Sequence, residues 1–322
     1  MNKVSLRILI LFLALSACSP LPVEQSGQIK VVATTTIVGD IVFQVGGEQI
    51  DLTILLPAGT DPHSFQATPQ DLATISDADI VFLNGLGLEE FLDSILDNVG
   101  GEVILVSLSD GLPNLLKNED SNHDHGDADH EHDEATHEHD EADHDHEGFD
   151  PHVWLNPNNI GHWVGIIQEQ LSEIDPKNSE VYLENTTNYL QELETLDNWL
   201  AEQTESIPAE KRIMVADHHA WGYFADAYGF ELIGTIIPGY STLAEASAGD
   251  LAELEELIEQ FDVRTIFIGN SINPGLATQI AKDTGIEIAS LFTGSLSKAN
   301  GPAPNYLEMM RHNMLLILEA FQ

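Results

Sequence analysis

The stretch Asp150-Pro151-His152-Val153-Trp154-Leu155-Asn156-Pro157 is where the chain changes character. Just before it, residues 119–147 are low in complexity and mostly His, Asp and Glu, with histidines at His123, His125, His130, His132, His137, His139, His144 and His146. Just after it, Asn158–Ile174 carries a helical pattern stopped by Asp175-Pro176. Histidine at that density reads as metal capture, because imidazole suits zinc, copper, iron and nickel. His152 stands apart from the eight, in a segment that reads as folded. The rest of the chain has to supply a folded site to which captured metal could pass.

Outward from this stretch, both halves alternate short β-rich runs with helices. In the first half Ile29–Thr34, Gln49–Leu56, Asp79–Leu83 and Glu102–Val106 read as strands, and Ile37–Val45 and Leu88–Leu96 as helices. Thr68-Pro69 marks another helix start, with Thr68 as N-cap and Pro69 at the first helical position. In the second half Arg212–Ala216, Glu231–Ile237, Arg264–Ile268 and Glu287–Ser290 read as strands. Ala220–Tyr228, Ala248–Gln260, Pro274–Asp283 and Asn305–Phe321 read as helices. Between the halves, Ser179–Gln203 is a helix without Gly or Pro for about seven turns. This is α/β architecture: two lobes, each a parallel sheet flanked by helices, joined by one long helix. The expected boundaries are 29–177 for the first lobe, 178–205 for the connecting helix and 206–322 for the second lobe. The tract 119–147 is a disordered insertion in the first lobe. Ligands of such sheets bind beyond the carboxyl ends of the strands, and two facing lobes put that place in the cleft between them.

Composition narrows the function. The 322 residues suit two domains. The formal charge of −43, from 54 acidic and 11 basic residues, excludes a nucleic-acid partner, which needs a basic surface, and favours cations. One cysteine excludes an internal disulfide and a cysteine metal cluster. Lys3 and Arg7 precede an apolar run, Ile8–Leu15, and then Ser16-Ala17-Cys18, the pattern of a signal peptide over residues 1–18. Leu15-Ser16-Ala17-Cys18 looks like a lipobox. It implies cleavage before Cys18, a lipid on its sulfur, attachment to the outer face of the membrane and a flexible tether over 19–28. No Walker-type loop or nucleophile motif is present, so any ATPase has to be another chain.

Three histidines stand at the ends of expected strands or in loops just after them. His63 follows the run ending in Leu56, His152 precedes the helix from Asn158, and His218 follows Ile213–Asp217. So placed, they could converge on the cleft. Three His ligands bind Zn2+ and leave a fourth tetrahedral position open. His162 and His312 fall inside helices and read as structural or surface residues. His219 is the alternative to its neighbour, and Asp217 is a candidate acceptor for an imidazole N–H.

The chain resembles the metal-binding lipoproteins of bacterial ABC importers, the zinc/manganese group of solute-binding proteins. Asp61-Pro62-His63-Ser64-Phe65 with Thr68-Pro69 is similar to the family's first ligand loop, and Asp150–Pro157 to the second. His218-His219-Ala220-Trp221-Gly222-Tyr223-Phe224 with Tyr228-Gly229 is similar to the third, in the register that makes His218 the ligand. The resemblance covers residues 29–322. It implies a monomeric, extracytoplasmic, lipid-anchored protein that captures Zn2+ in the cleft and delivers it to an ABC permease with its ATPase subunit. One departure stands out: the family's fourth ligand is an Asp in a C-terminal loop, and Gly294 occupies that place in Leu291-Phe292-Thr293-Gly294-Ser295-Leu296. Water is the expected replacement.

A manganese- or iron-binding member of the same family is the alternative. Manganese members carry Glu at the third position, so His218 and the missing acid favour zinc. Ordinary imidazoles imply release on acidification through about pH 6. A zinc-dependent hydrolase would also use three histidines with an open position, but no general base accompanies the motifs. A third reading leaves metal to the tract alone and gives the lobes another ligand.

Overall fold

In the computed structural model, residues 27–92, 103–117 and 148–322 are described. Cys18, the tract histidines and the end of the expected Leu88–Leu96 helix lie outside them.

Two four-stranded sheets carry the fold. The first contains β1 (Ile29–Ala33), β2 (Ile50–Ile54), β3 (Ile80–Leu83) and β4 (Ile104–Ser107) in the order β2-β1-β3-β4. The second contains β5 (Ile213–Ala216), β6 (Glu231–Thr235), β7 (Thr265–Gly269) and β8 (Glu287–Leu291) in the order β6-β5-β7-β8. Every pairing is parallel. The two sheets therefore share one topology. Each chain reversal needs a crossover, and helices on the faces bury the central strands on both sides; β7 is buried throughout its length.

The helices are α1 (Thr36–Gly46), α2 (Pro69–Ser76), α3 (Pro157–Ile174), α4 (Ser179–Thr204), α5 (Gly222–Tyr228), α6 (Ala248–Gln260), α7 (Gly275–Thr284) and α8 (Tyr306–Ala320). Their starts follow capping chemistry. Thr68 and Ser247 open α2 and α6 with reciprocal capping boxes to Asp71 and Asp250. Asn156 caps α3, with Pro157 at its first position. The helix expected from Ala220 starts two residues later, because Ala220 N–H is spent on a turn to His218 C=O.

The long helix α4 buries Tyr182, Tyr189, Leu193, Leu196 and Leu200 along one stripe. It packs on α1 and α3 on one side and on α8 on the other. A single apolar cluster runs through both lobes, from Ile41 and Phe82 through Trp163 and Leu196 to Met214, Phe267 and Met314. Separating the lobes widely would expose that shared core to water. Smaller clusters, Val32–Ile75–Val81 and Val215–Leu254–Ile266, close the outer faces of the sheets.

Candidate metal centre

Loops at the carboxyl ends of the strands bring His63, His152 and His218 together between the sheets. His63 lies in the loop from β2 to α2, His152 just before α3, and His218 two residues after β5. The His152 segment is held from several sides. Asp150 N–H donates to Leu116 C=O at 2.9 Å, and Lys117 and Phe149 form an antiparallel bridge where the chain leaves for the tract and returns. Asn84 Nδ2 donates to Pro151 C=O at 3.1 Å. Asn84 belongs to a turn in which Gly85, Leu86 and Gly87 all have positive φ (85°, 56° and 78°). Leu86 is strained there. The buried Glu89 carboxylate steadies that turn, accepting from Asn84 N–H at 2.8 Å, Gly85 N–H at 3.1 Å and the Thr34 hydroxyl at 2.7 Å. Burial pushes its pKa up to about 6. Trp154 Nε1 reaches across to Thr293 C=O at 2.7 Å.

The rings meet through their Nε2 atoms. His152 Nε2 is 3.1 Å from His63 Nε2 and 3.2 Å from His218 Nε2. Nitrogens bound to a tetrahedral zinc at about 2.0–2.1 Å stand roughly 3.3 Å apart. Two of the rings are oriented by buried carboxylates. His152 Nδ1 lies 2.8 Å from Asp150 Oδ1, and His218 Nδ1 lies 2.9 Å from Asp217 Oδ1. Both aspartates also accept the backbone N–H of their own histidine, at 2.9 and 2.8 Å. With an N–H on each Nδ1 facing a carboxylate, the Nε2 atoms present lone pairs to one point. Lone pairs about 3 Å apart repel unless a cation lies between them.

Burial sets the charge state in the same direction. His63 is pushed down to about 3, first by burial and then by His152 and His218 beside it. His152 is held well below the ordinary imidazole value, again by burial first and then by His218. Burial raises Asp150, opposed by the His152 backbone hydrogen bond. Neutral imidazole is the form that binds metal, so the pH window of proton competition lies below the pH 6 expected from ordinary histidine.

The cavity at the cluster is small, about 10 Å3, and is lined by Asp61, Pro62, Trp154, Ser271, Thr293 and Gly294 as well as the histidines. That suits one ion or water and not an organic substrate beside a metal. A larger cavity of about 200 Å3, lined by Lys211, Phe261, Arg264 and Phe321, lies at the opposite ends of β5 and β7, away from the histidines. Gly294 borders the centre as the motif alignment places it, but a Cβ there would meet Pro62 Cδ at 2.9 Å. The ring of Pro62 has taken the space a longer residue would need.

Among the described residues, His63, His152 and His218 are the group of His, Cys, Asp or Glu residues placed to hold a metal ion. His219 instead packs its ring on Tyr240 at 5.6 Å, His162 faces Asp110 C=O at 2.9 Å, and His312 lies against Phe292. Sequence reasoning missed Asp150 and the Glu89–Asn84 support. Asp150 is adjacent in the motif, so the signal was there; Glu89 acts through tertiary contacts that carry none.

Residues 31–320 match the family described as ZnuA, zinc-uptake complex component A, periplasmic. The chain belongs to this family. It is 29% identical over 98% of its length to the manganese-binding lipoprotein MntA of Halalkalibacterium halodurans, covering 97% of that protein. It is 32% identical to the manganese ABC transporter substrate-binding lipoprotein PsaA of Streptococcus pneumoniae, covering 97% of each chain. Among solved structures, the periplasmic zinc-binding protein TroA of Treponema pallidum superimposes with a TM-score of 0.80 at 28% identity, covering 92% of this chain and 99% of that one. The protein is thus an extracytoplasmic metal-binding component of an ABC importer, a solute-binding protein rather than an enzyme.

Proposed function

We propose that the protein captures Zn2+ at His63, His152 and His218 and delivers it to an ABC permease driven by a separate ATPase subunit. The observation that carries this reading is the ligand set: three imidazole nitrogens converging on one point, with no carboxylate among them. Nitrogen ligands suit zinc, whereas manganese prefers carboxylate, carbonyl and water oxygen. Water completes the tetrahedron where the family places an aspartate. The His-rich tract, His123 to His146, collects zinc at many weak, exchanging sites; the described residues that flank it, Lys117 and Phe149, pair in a bridge next to Asp150. A lipid on Cys18 keeps the monomer near its permease.

The second reading is manganese, favoured by the names of MntA and PsaA. Competition with a chelating dye decides between them, using the chain from residue 19 with and without 119–147. One tight zinc and weak manganese in both forms is expected. Tight manganese would assign the second reading, and loss of tight zinc with the tract would leave the tract as the sole binder.

A further inference from the structure

We propose that Thr242 is a positioning residue for His63: it holds the His63 loop across the cleft, and breaking that hold opens the site for metal release. This rests on the reading of the three histidines as the metal centre.

The three ligands are not held alike. His152 and His218 are each fixed at two points to a buried aspartate, through ring Nδ1 and backbone N–H. Asp217 is fixed in turn, since its Oδ2 accepts Gly269 N–H at 2.6 Å. These two ligands form a standing half-site. His63 is partly exposed, and among the described residues its Nδ1 has no hydrogen-bond acceptor. Its neighbour Asp61 accepts the His63 backbone N–H at 3.1 Å through Oδ1 and the Thr242 hydroxyl at 2.6 Å through Oδ2.

Thr242 belongs to the other lobe, in the loop from β6 to α6. That loop is rooted on the His218 segment: Ile237 N–H donates to Asp217 C=O at 2.7 Å, and His219 N–H donates to Gly239 C=O at 3.0 Å. The Asp61–Thr242 bond therefore ties the moving ligand to the standing half-site. Among the described residues one other hydrogen bond joins the His63 loop to the second lobe, from Gly59 N–H to Ser295 Oγ at 2.8 Å. Its acceptor is a neutral hydroxyl, whereas the Thr242 bond ends on a carboxylate and is the stronger of the two. With it broken, the Gly59 contact, the packing of Pro62 against Gly294 and Nε2 of His63 at the centre are left to hold the loop.

The test is a chelator chase of zinc from the full chain, with Thr242→Val and Thr242→Ser. Zinc on the tract leaves quickly in every variant, so the slow phase reports the centre. Thr242→Val is expected to release slow-phase zinc roughly tenfold faster, as loss of a hydrogen bond to a charged group implies. Its association rate should stay at the parent value. Thr242→Ser keeps the hydroxyl and should restore slow release; that rescue decides the matter even if the valine variant melts earlier. A parent release rate in Thr242→Val, or a serine variant as fast as the valine one, overturns the proposal. A slow phase that survives His152→Ala overturns the metal centre itself, and the proposal with it.

Discussion

Asp61-Pro62-His63 and Asp150-Pro151-His152 are the same tripeptide in two settings. In both, the histidine N–H returns to the aspartate two residues back, at 3.1 and 2.9 Å, a local turn that Asp favours wherever it occurs. Beyond that turn they diverge. Asp150 is fully buried, and the same oxygen that takes the backbone N–H also takes the ring of His152. Asp61 is partly exposed and spends its second oxygen on the opposite lobe. The tripeptide dictates the backbone; the surroundings decide whether the carboxylate orients the ligand or ties down its loop. One copy builds a fixed ligand and the other a movable one.

The sharpest way to break this comparison is to remove each histidine. Zinc at a hundredfold excess over its dissociation constant should stabilise the parent chain by about 2.7 kcal/mol. His152→Ala should abolish nearly all of that gain, because His152 Nε2 is the atom close to both other rings. His63→Ala should keep a measurable part of it. Equal zinc-induced melting shifts in the two variants would refute the division into standing and movable ligands.

Next come the aspartates. Asp150→Asn weakens the acceptor that sets the tautomer of His152 and should lower zinc affinity by roughly 10- to 100-fold. Asp61→Asn can keep its one oxygen on His63 N–H and donate its amide to the Thr242 hydroxyl, and it loses no hydrogen bond to a ring, so its cost should stay within about threefold. Isothermal titration of the two variants would contradict the comparison if their order were reversed.

Acid separates the same groups by burial. His63, at about 3 in the fold, sits below an unfolded imidazole near 6.5. The unfolded chain therefore binds the extra proton, and the stability this neutral ring contributes is fully present above about pH 6.5. It is lost progressively as pH falls toward 3. His152 acts in the same sense. Glu89 opposes them: raised to about 6 from an ordinary 4.5, it makes the fold lose stability as pH rises through that interval. Metal-free melting temperatures should therefore fall gently from about pH 6 to 4.5, where Glu89 offsets one of the two histidines, and more steeply below, while Glu89→Gln should steepen the decline from about pH 6.5. Zinc should stay bound below pH 6; complete release at pH 6 would show His63 and His152 to be ordinary imidazoles.

Much of this was legible in the chain. The βαβ rhythm gave eight strands to within about two residues, because parallel strands are short apolar runs separated by helices with readable starts such as Thr68-Pro69. The three histidines were legible because strand ends point to one cleft. The ring partners were not. Whether Asp61 or Asp150 faces its own histidine depends on burial by segments distant in sequence, Leu116 and Tyr223 for one and Thr242 for the other. Glu89 was silent for the same reason: its donors Thr34 and Asn84 come from separate strand ends. The lowered values of His63 and His152 also escaped, since a reference value near 6.5 knows nothing of burial beside other imidazoles.

The smallest expected effect concerns the place where this chain departs from the family motif. Pro62, the middle residue of the movable tripeptide, packs where a side chain at position 294 would stand, 2.9 Å from a Cβ built there. Gly294→Ala should push the His63 loop outward and cost about 1 kcal/mol of zinc-bound stability, at the low end for an overpacked site. It should leave the half-site of His152 and His218 in place, so weak zinc binding persists. Gly294→Asp alone meets the same obstruction. Combined with Pro62→Ala it gains room and offers the centre an oxygen ligand, which should narrow the preference for zinc over manganese. If Gly294→Asp alone raised manganese affinity as much as the double variant, Pro62 would not be what keeps a side chain at 294 from the fourth position, and the movable loop would be looser than its packing implies.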